Sequence, residues 1–311
     1  MKKYMYLISQ DLQMLFANWA KEFDFNIPGK TYFANISQGI VCDLQSIFSR
    51  EREDVAVQLI SFDQMYNGLQ KKLSSRFNDL IISLDKVYLP SNFQLEINRI
   101  VCKKENEWED LGECSRPGFK SIDQQLDEIC SSVNGARVTV VDDGCWSGGS
   151  IALVLKALRN RNINISKVLV GVFVDSGKLS LDIPLEFAIR FSANSVIDWI
   201  CERDFFPGAP LGGRTVKIDS NNGGTNKSYG AYYLFGMGDY ANWASLQFED
   251  KLIRSFTQRC IGRSIALFNE IEELSSKAVL MNNLSRLPYG IGFNCQDRFV
   301  DVLERQLVKI I

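Results

Sequence analysis

Residues 138 to 150 read Val-Thr-Val-Val-Asp-Asp-Gly-Cys-Trp-Ser-Gly-Gly-Ser, and no other stretch of the 311-residue chain limits its fold as closely. A continuous apolar, β-branched run of this kind belongs in a parallel strand buried on both faces. The segment from Ile151 to Leu158 has helical composition, so the small-residue loop joins the carboxyl end of a strand to the amino end of a helix. Such a junction gathers unpaired backbone N–H groups and the positive end of the helix dipole, and it can hold a phosphate without a basic side chain. Two nucleotide loops are excluded by spacing. A P-loop has Lys and a hydroxyl residue directly after its last glycine, and a dinucleotide fingerprint reads Gly-x-Gly-x-x-Gly; neither pattern is present here.

The thirteen positions resemble, without a gap, the signature of type I phosphoribosyltransferases: four apolar residues, two acids, four loop residues and Gly-Gly-Thr/Ser. The resemblance implies an α/β fold, a Rossmann-like parallel sheet with flanking helices, and a site for 5-phosphoribosyl-1-pyrophosphate (PRPP) with Mg²⁺. It implies Asp142 and Asp143 as the catalytic pair that grips the ribose hydroxyls and faces the metal ion. It also implies Gly144, Cys145, Trp146, Ser147, Gly148, Gly149 and Ser150 as the wrap around the 5′-phosphate. The chemistry is consistent, because a carboxylate accepts from a vicinal diol in charge-assisted bonds about twice as strong as neutral ones. Adjacent acids also repel unless a diol or a cation satisfies them. Trp146 departs from the family, where Thr or another small residue is usual; the indole either narrows the loop or stacks on a ligand. The plainer alternative is a strand that ends in Asp-Asp-Gly because acids and glycines make turns, which leaves the Gly-Gly-Ser entry to a helix unexplained.

Composition limits the mechanism. The chain has no histidine, and its eight cysteines include no Cys-x-x-Cys pair. The usual zinc sites and every mechanism with a His base are thereby removed, while an oxygen-ligand cation such as Mg²⁺ stays open. With 35 Lys+Arg against 37 Asp+Glu, bulk attraction to nucleic acid or an anionic membrane is not expected. No run reaches the ~18 apolar residues of a membrane span. Residues 1–16 make a poor signal peptide, so the expected home is a reducing cytoplasm.

Three regions are expected: a mainly helical one over 1–80, an α/β core over 81–245, and helices over 246–311 packed on that core. In the first, Ile36–Arg50 and Asp54–Phe77 have helical spacing, with a break at Pro28-Gly29. In the second, strands are predicted at 80–84, 94–101 and 167–174 and a helix at 122–133. In the third, 248–276 and 299–311 are amphipathic. Asp175 ends a strand and is either near a ligand or a turn acid. A mobile loop covers the active site in this part of the family's chain, which makes Arg99, Arg116 and Lys120 candidates for pyrophosphate; each is equally a solvated cation. Asn221-Asn222-Gly223-Gly224-Thr225 reads as a flexible loop.

The segment from Cys201 to Arg214 mixes charges, aromatics, prolines and glycines. In one reading Arg203 and Arg214 meet the pyrophosphate or the acceptor and Phe205 or Phe206 stacks a base. In the other it is a rigid structural loop with an internal Arg to acid pair. Its Glu-Arg-Asp-Phe run resembles, more weakly than the signature, segments of bacterial phosphoribosyltransferase-like proteins, including ones in phage-defence, retron-type operons.

Three functions follow from these resemblances. The first is a transferase that displaces pyrophosphate from PRPP with a base or another nucleophile. The family's second, often glycine-containing pyrophosphate loop has no evident counterpart over 30–120, which brings in the second function, a protein that senses a phosphorylated nucleotide without consuming it. The third is an effector subunit of an antiviral defence complex, whose terminal helices bind a protein partner or a second copy and which meets nucleic acid only indirectly. The acceptor is not readable, because base recognition in the family lies in variable loops.

Overall fold

The structure, a computed structural model, describes residues 3–73, 79–105, 107–133, 135–177, 179, 181–217 and 228–310. The chain opens with β1 (Tyr4–Ser9), α1 (Leu12–Phe23), α2 (Lys30–Glu51), β2 (Val55–Ile60) and α3 (Phe62–Leu73). There follow β3 (Leu80–Ser83), β4 (Phe93–Gln94), β5 (Ile97–Lys104), β6 (Glu107–Ser115) and α4 (Ile122–Val133). The signature region holds β7 (Val138–Cys145), α5 (Gly149–Arg159), β8 (Ile165–Asp175) and β9 (Leu185–Ser192). The rest is β10 (Val196–Cys201), β11 (Arg214–Val216), β12 (Tyr229–Ala231), α6 (Tyr240–Trp243), α7 (Asp250–Ser275), β13 (Leu287–Pro288) and α8 (Phe299–Ile310). Two compact units result, one of Met1–Leu59, Ile100–Leu111 and Ile197–Ile311, the other of Ile60–Arg99 and Gly112–Val196. No helix among the described residues is long and apolar enough to cross a membrane.

The second unit is an α/β layer structure around a five-stranded, all-parallel sheet in the order β4-β3-β7-β8-β9. Its central strands are apolar on both sides because helices cover both faces. On one face Leu126, Ile129 and Val133 of α4 and Ile151, Val154, Leu155 and Leu158 of α5 pack with Val138, Val140, Val168 and Val170. On the other lies α3, where Met65 fills the space that a side chain at Gly171 would need. Lys167, 2% exposed, donates to the Lys72 carbonyl of α3 at 2.9 Å and pairs with Glu186 at 3.3 Å. The last carbonyls of a helix have no partner within it, and its negative end favours a cation. From β3 the chain steps to β4 at one edge and then returns past β3 to β7. The switch point therefore lies between β3 and β7, and parallel sheets bind ligands at strand carboxyl ends beside such a point.

The first unit contains a sheet in the order β10-β1-β2 and most of a mixed sheet in the order β13-β12-β11-β5-β6, in which residues 97–99 of β5 and 112–115 of β6 belong to the second unit. In α1, Leu12, Leu15, Phe16, Trp19 and Ala20 are buried at helical spacing. Phe16 meets Phe33, Phe206 and Phe268 at ring distances of 5.9, 6.0 and 5.5 Å, and Phe268 meets Phe299 of α8 at 4.7 Å.

Two expectations are corrected. The amino-terminal region is not uniformly helical over Asp54–Phe77: Val55–Ile60 is the edge strand β2, and the helix is confined to Phe62–Leu73. Val55, Val57 and Leu59 alternate with period two, and β-branched residues favour a strand; residues 74–78 lie outside the described part. The boundaries at 80 and 245 also differ from those observed, since α1, α2, α7, α8 and residues 197–246 share one hydrophobic core. The expected loop at 221–225 lies outside the described residues.

Candidate functional site

Pairing between β7 and β8 continues through Asp142↔Val170, Gly144↔Val172 and Cys145↔Phe173. The strand is thus longer than the sequence suggests, and the turn before α5 is only Trp146, Ser147 and Gly148. Gly148 sits at φ +75, and a Cβ there would lie 2.5 Å from Leu179 Cδ1, so the turn requires glycine. The first bond of α5 runs from the Ala152 N–H to the Gly148 carbonyl at 2.8 Å. The N–H groups of Gly149, Ser150 and Ile151 precede it and point out of the helix's amino end. Ser147 and Gly149 are exposed, while Trp146 and Ser150 are half-buried. Cys145 is 3% exposed, and burial, then the charge of Asp142, pushes its thiol up to about 11. Gly144 and Cys145, expected in the phosphate wrap, are strand residues, and the turn itself begins at Trp146.

Asp142 and Asp143 are both half-buried. Desolvation, then the charges of Asp143 and Asp85 and more weakly Glu113, hold the Asp142 carboxyl well above its ordinary range. The Asp143 N–H donates to Asp142 Oδ1 at 3.0 Å and offsets part of this. Asp85, 5% exposed, lies in the loop after β3 and accepts from the Val87 N–H at 2.7 Å. Because Ser83 pairs with Val141, the loop after β3 and the acid-bearing end of β7 are neighbours at the switch point. Sequence reading missed Asp85, although an acid two residues past an apolar strand was its signal.

Glu113 of β6 also reaches this end of the sheet. Its Oε1 accepts from Ser150 Oγ at 2.6 Å and lies 3.5 Å from Arg99 Nε. The other expected cations have acidic partners as well. Arg116 Nε is 3.2 Å from Glu96 Oε2, Lys86 pairs with the same Glu96, and Lys120 pairs with Glu128. Asp175, at the carboxyl end of β8, accepts from the Gly177 N–H at 2.8 Å and pairs with Arg190, and these contacts lower its carboxyl. It is a turn acid. Among the described residues no three His, Cys, Asp or Glu side chains are placed to hold a metal ion. Asp142 and Asp143 still fit Mg²⁺, which takes one or two carboxylates when substrate phosphates complete its shell.

Arg203 and Arg214 lie in the first unit, inside a buried polar network. Glu202, 0% exposed, accepts from the N–H groups of Asp11 and Leu12, both at 2.9 Å, and burial pushes its carboxyl up to about 7. Arg203 Nη1 lies 2.9 Å from Asp11 Oδ2. Asp204 accepts from the Gly213 N–H at 2.8 Å. Arg286, 4% exposed, donates to the carbonyls of Gly212 and Gly213 at 2.8 and 2.6 Å and to Thr215 Oγ1 at 2.8 Å. Arg214 pairs with Asp110 at 2.9 Å and lies 4.7 Å from the Trp243 ring. Phe205 and Phe206 are fully buried core residues, so neither can stack a base. The structural-loop reading of 201–214 describes these contacts.

No protein-family model matches the chain. No curated protein matches it. Among solved structures, the chain is similar to a hypothetical protein from Neisseria gonorrhoeae crystallised with bound ppGpp, at 17% identity and a TM-score of 0.32, over 45% of this chain and 81% of that one.

Proposed function

We propose that the chain binds PRPP, or a nucleotide 5′-phosphate, at the carboxyl ends of β3 and β7 and transfers the phosphoribosyl group to a base or another nucleophile, in the manner of type I phosphoribosyltransferases. One observation carries this: a strand with two acids near its carboxyl end turns through three residues into a helix amino terminus at the switch point of an all-parallel sheet. The 5′-phosphate would rest on the first N–H groups of α5 and on the Ser147 and Ser150 hydroxyls. Asp142 would accept the ribose hydroxyls, and a diol or cation there would offset the desolvation and the repulsion that raise its carboxyl. Bound Mg²⁺, held by Asp142 and Asp143, would neutralise charge on the leaving pyrophosphate. The protein's own share is to orient the ring and to place charge around an oxocarbenium-like centre, which needs no histidine. Lys86 and Arg116, both paired with Glu96 in the ligand-free chain, would meet the pyrophosphate by exchange from that carboxylate.

That shared Glu96 partner also favours a second function, a sensor that holds the phosphate without expelling pyrophosphate. Calorimetry with PRPP and Mg²⁺, on wild type and on the Asp142→Asn, Asp143→Asn double variant, tests the site. Tight binding lost in the variant is expected. A folded wild type that binds nothing would overturn both functions, and binding without pyrophosphate release across a panel of bases would assign the sensor.

A further inference from the structure

A hydroxyl from the first turn of α5 and a guanidinium converge on one oxygen of Glu113: Ser150 Oγ at 2.6 Å and Arg99 Nε at 3.5 Å. These are the donor types that a phosphate oxygen would take at the same helix end. The Glu113 side chain is 13% exposed, and its charge adds weakly to those that raise the Asp142 carboxyl. An incoming phosphate could not share Ser150 with Glu113, because two anions would then meet at hydrogen-bond distance.

We infer that Glu113 is a built-in competitor for the phosphate: it occupies the phosphate's place in the ligand-free chain and gives up Ser150 and Arg99 when the phosphate enters. This rests on the phosphate site proposed above and concerns its regulation. Glu113 keeps the Ser150 hydroxyl and the Arg99 side chain assembled while the site is empty. It also sets a threshold, since the apparent affinity is the intrinsic one reduced by the fraction of chains in which Glu113 has let go. A bond between a hydroxyl and a carboxylate is strong enough to make that fraction about one in ten or lower. Weak phosphate ligands would be refused, and a ligand that also engages Asp142 would enter.

The test is calorimetry with ribose 5-phosphate on wild type, Glu113→Gln, Glu113→Ala and, as a charge control, Glu128→Gln, whose carboxylate is exposed and pairs with Lys120. Glu113→Gln keeps the size of the side chain and guards against loss of fold in the alanine variant. Both Glu113 variants are expected to bind at least about ten-fold more tightly than wild type and the control. Equal affinity in all four would overturn the competitor and leave the phosphate site standing. Weaker binding in the Glu113 variants would also overturn it, by making Glu113 one of the groups that hold the ligand. Absence of binding in every folded form would remove the phosphate site itself, and the competitor with it.

Discussion

Glu202 accepts the backbone N–H of Leu12 at 2.9 Å, which puts a fully buried carboxylate at the amino end of α1, where the Asp11 side chain makes no cap of its own. The helix dipole favours the charge there, yet burial dominates and raises the carboxyl from 4.5 to about 7. A raised folded value means that the group's contribution to stability is fully present below pH 4.5 and is lost as pH rises through about 7. Glu202→Gln keeps an acceptor for the two N–H groups and removes the charge. Its stability should therefore fall less with pH over this window, the difference reaching on the order of 3 kcal/mol by pH 8. Asp198, pushed up to about 6 by burial, remains and leaves a smaller slope of the same sign. Urea midpoints from pH 5 to 8 measure this, and identical slopes in the two proteins would clear Glu202 of the effect.

Arg286 holds the turn at Gly212 and Gly213 through two carbonyls and fixes Thr215 Oγ1 in the same grip. Removing a buried donor leaves several acceptors unsatisfied, and Arg286→Ala should cost about 3–5 kcal/mol of unfolding free energy. Arg286→Lys keeps the charge without the planar fork and should recover only part of that. Denaturant titration decides it; a lysine variant as stable as wild type would mean that charge alone holds the turn.

How far the sequence could be read depended on whether a residue's role was set locally. The helix expected at 122–133 is α4 with the same ends, and the strand at 167–174 is the centre of β8, because periodicity and flanking turns are local properties. The end of β7 was not legible: Gly144 and Cys145 look like loop residues until β8 is seen to continue beside them to Phe173. The segment 201–214 was ambiguous for a similar reason. Nothing in Phe205-Phe206 says whether the rings meet a ligand or, as here, Phe256 and Phe16. Glu113 lay outside any motif, since its meaning comes from Ser150, 37 residues away. Val55–Ile60 was lost to a short apolar pattern that suits helix and strand alike.

Gly148 and Gly149 adjoin in the signature but differ in what they tolerate. Alanine at 148 would have to adopt φ +75 and meet Leu179, whereas the nearest atom to a Cβ at 149 is Ser147 Oγ at 3.8 Å. Gly148→Ala should lose about 1–2 kcal/mol of stability from the left-handed backbone alone and should weaken ribose 5-phosphate binding as the turn shifts. Gly149→Ala should fold like wild type. Thermal unfolding and calorimetry on the pair check this, and equal behaviour of the two variants would mean that the turn does not shape the site.

Asp142 carries a charge that its surroundings resist. With desolvation and with Asp143, Asp85 and Glu113 nearby, its carboxyl is raised well above 3.8, so its contribution to stability is fully present below pH 3.8 and is lost as pH rises through the raised value. Charging this group is unfavourable in the ligand-free protein, and a ligand would satisfy it. Asp142→Asn should therefore be at least as stable as wild type at pH 7.5, with a melting temperature unchanged or a few degrees higher (~2–4 °C per kcal/mol), while Mg²⁺-dependent PRPP binding falls by about ten-fold or more. Asp143→Asn, which removes one of the charges that raise Asp142 and leaves that carboxyl in place, should cost less affinity. Affinity for PRPP with Mg²⁺ should also weaken as pH drops through the raised Asp142 value, because the proton competes with the cation for the carboxylate. Paired melting curves and titrations on the two single variants supply the measurement. A destabilised Asp142→Asn that still binds PRPP would make Asp142 a structural acid and remove it from the ligand site.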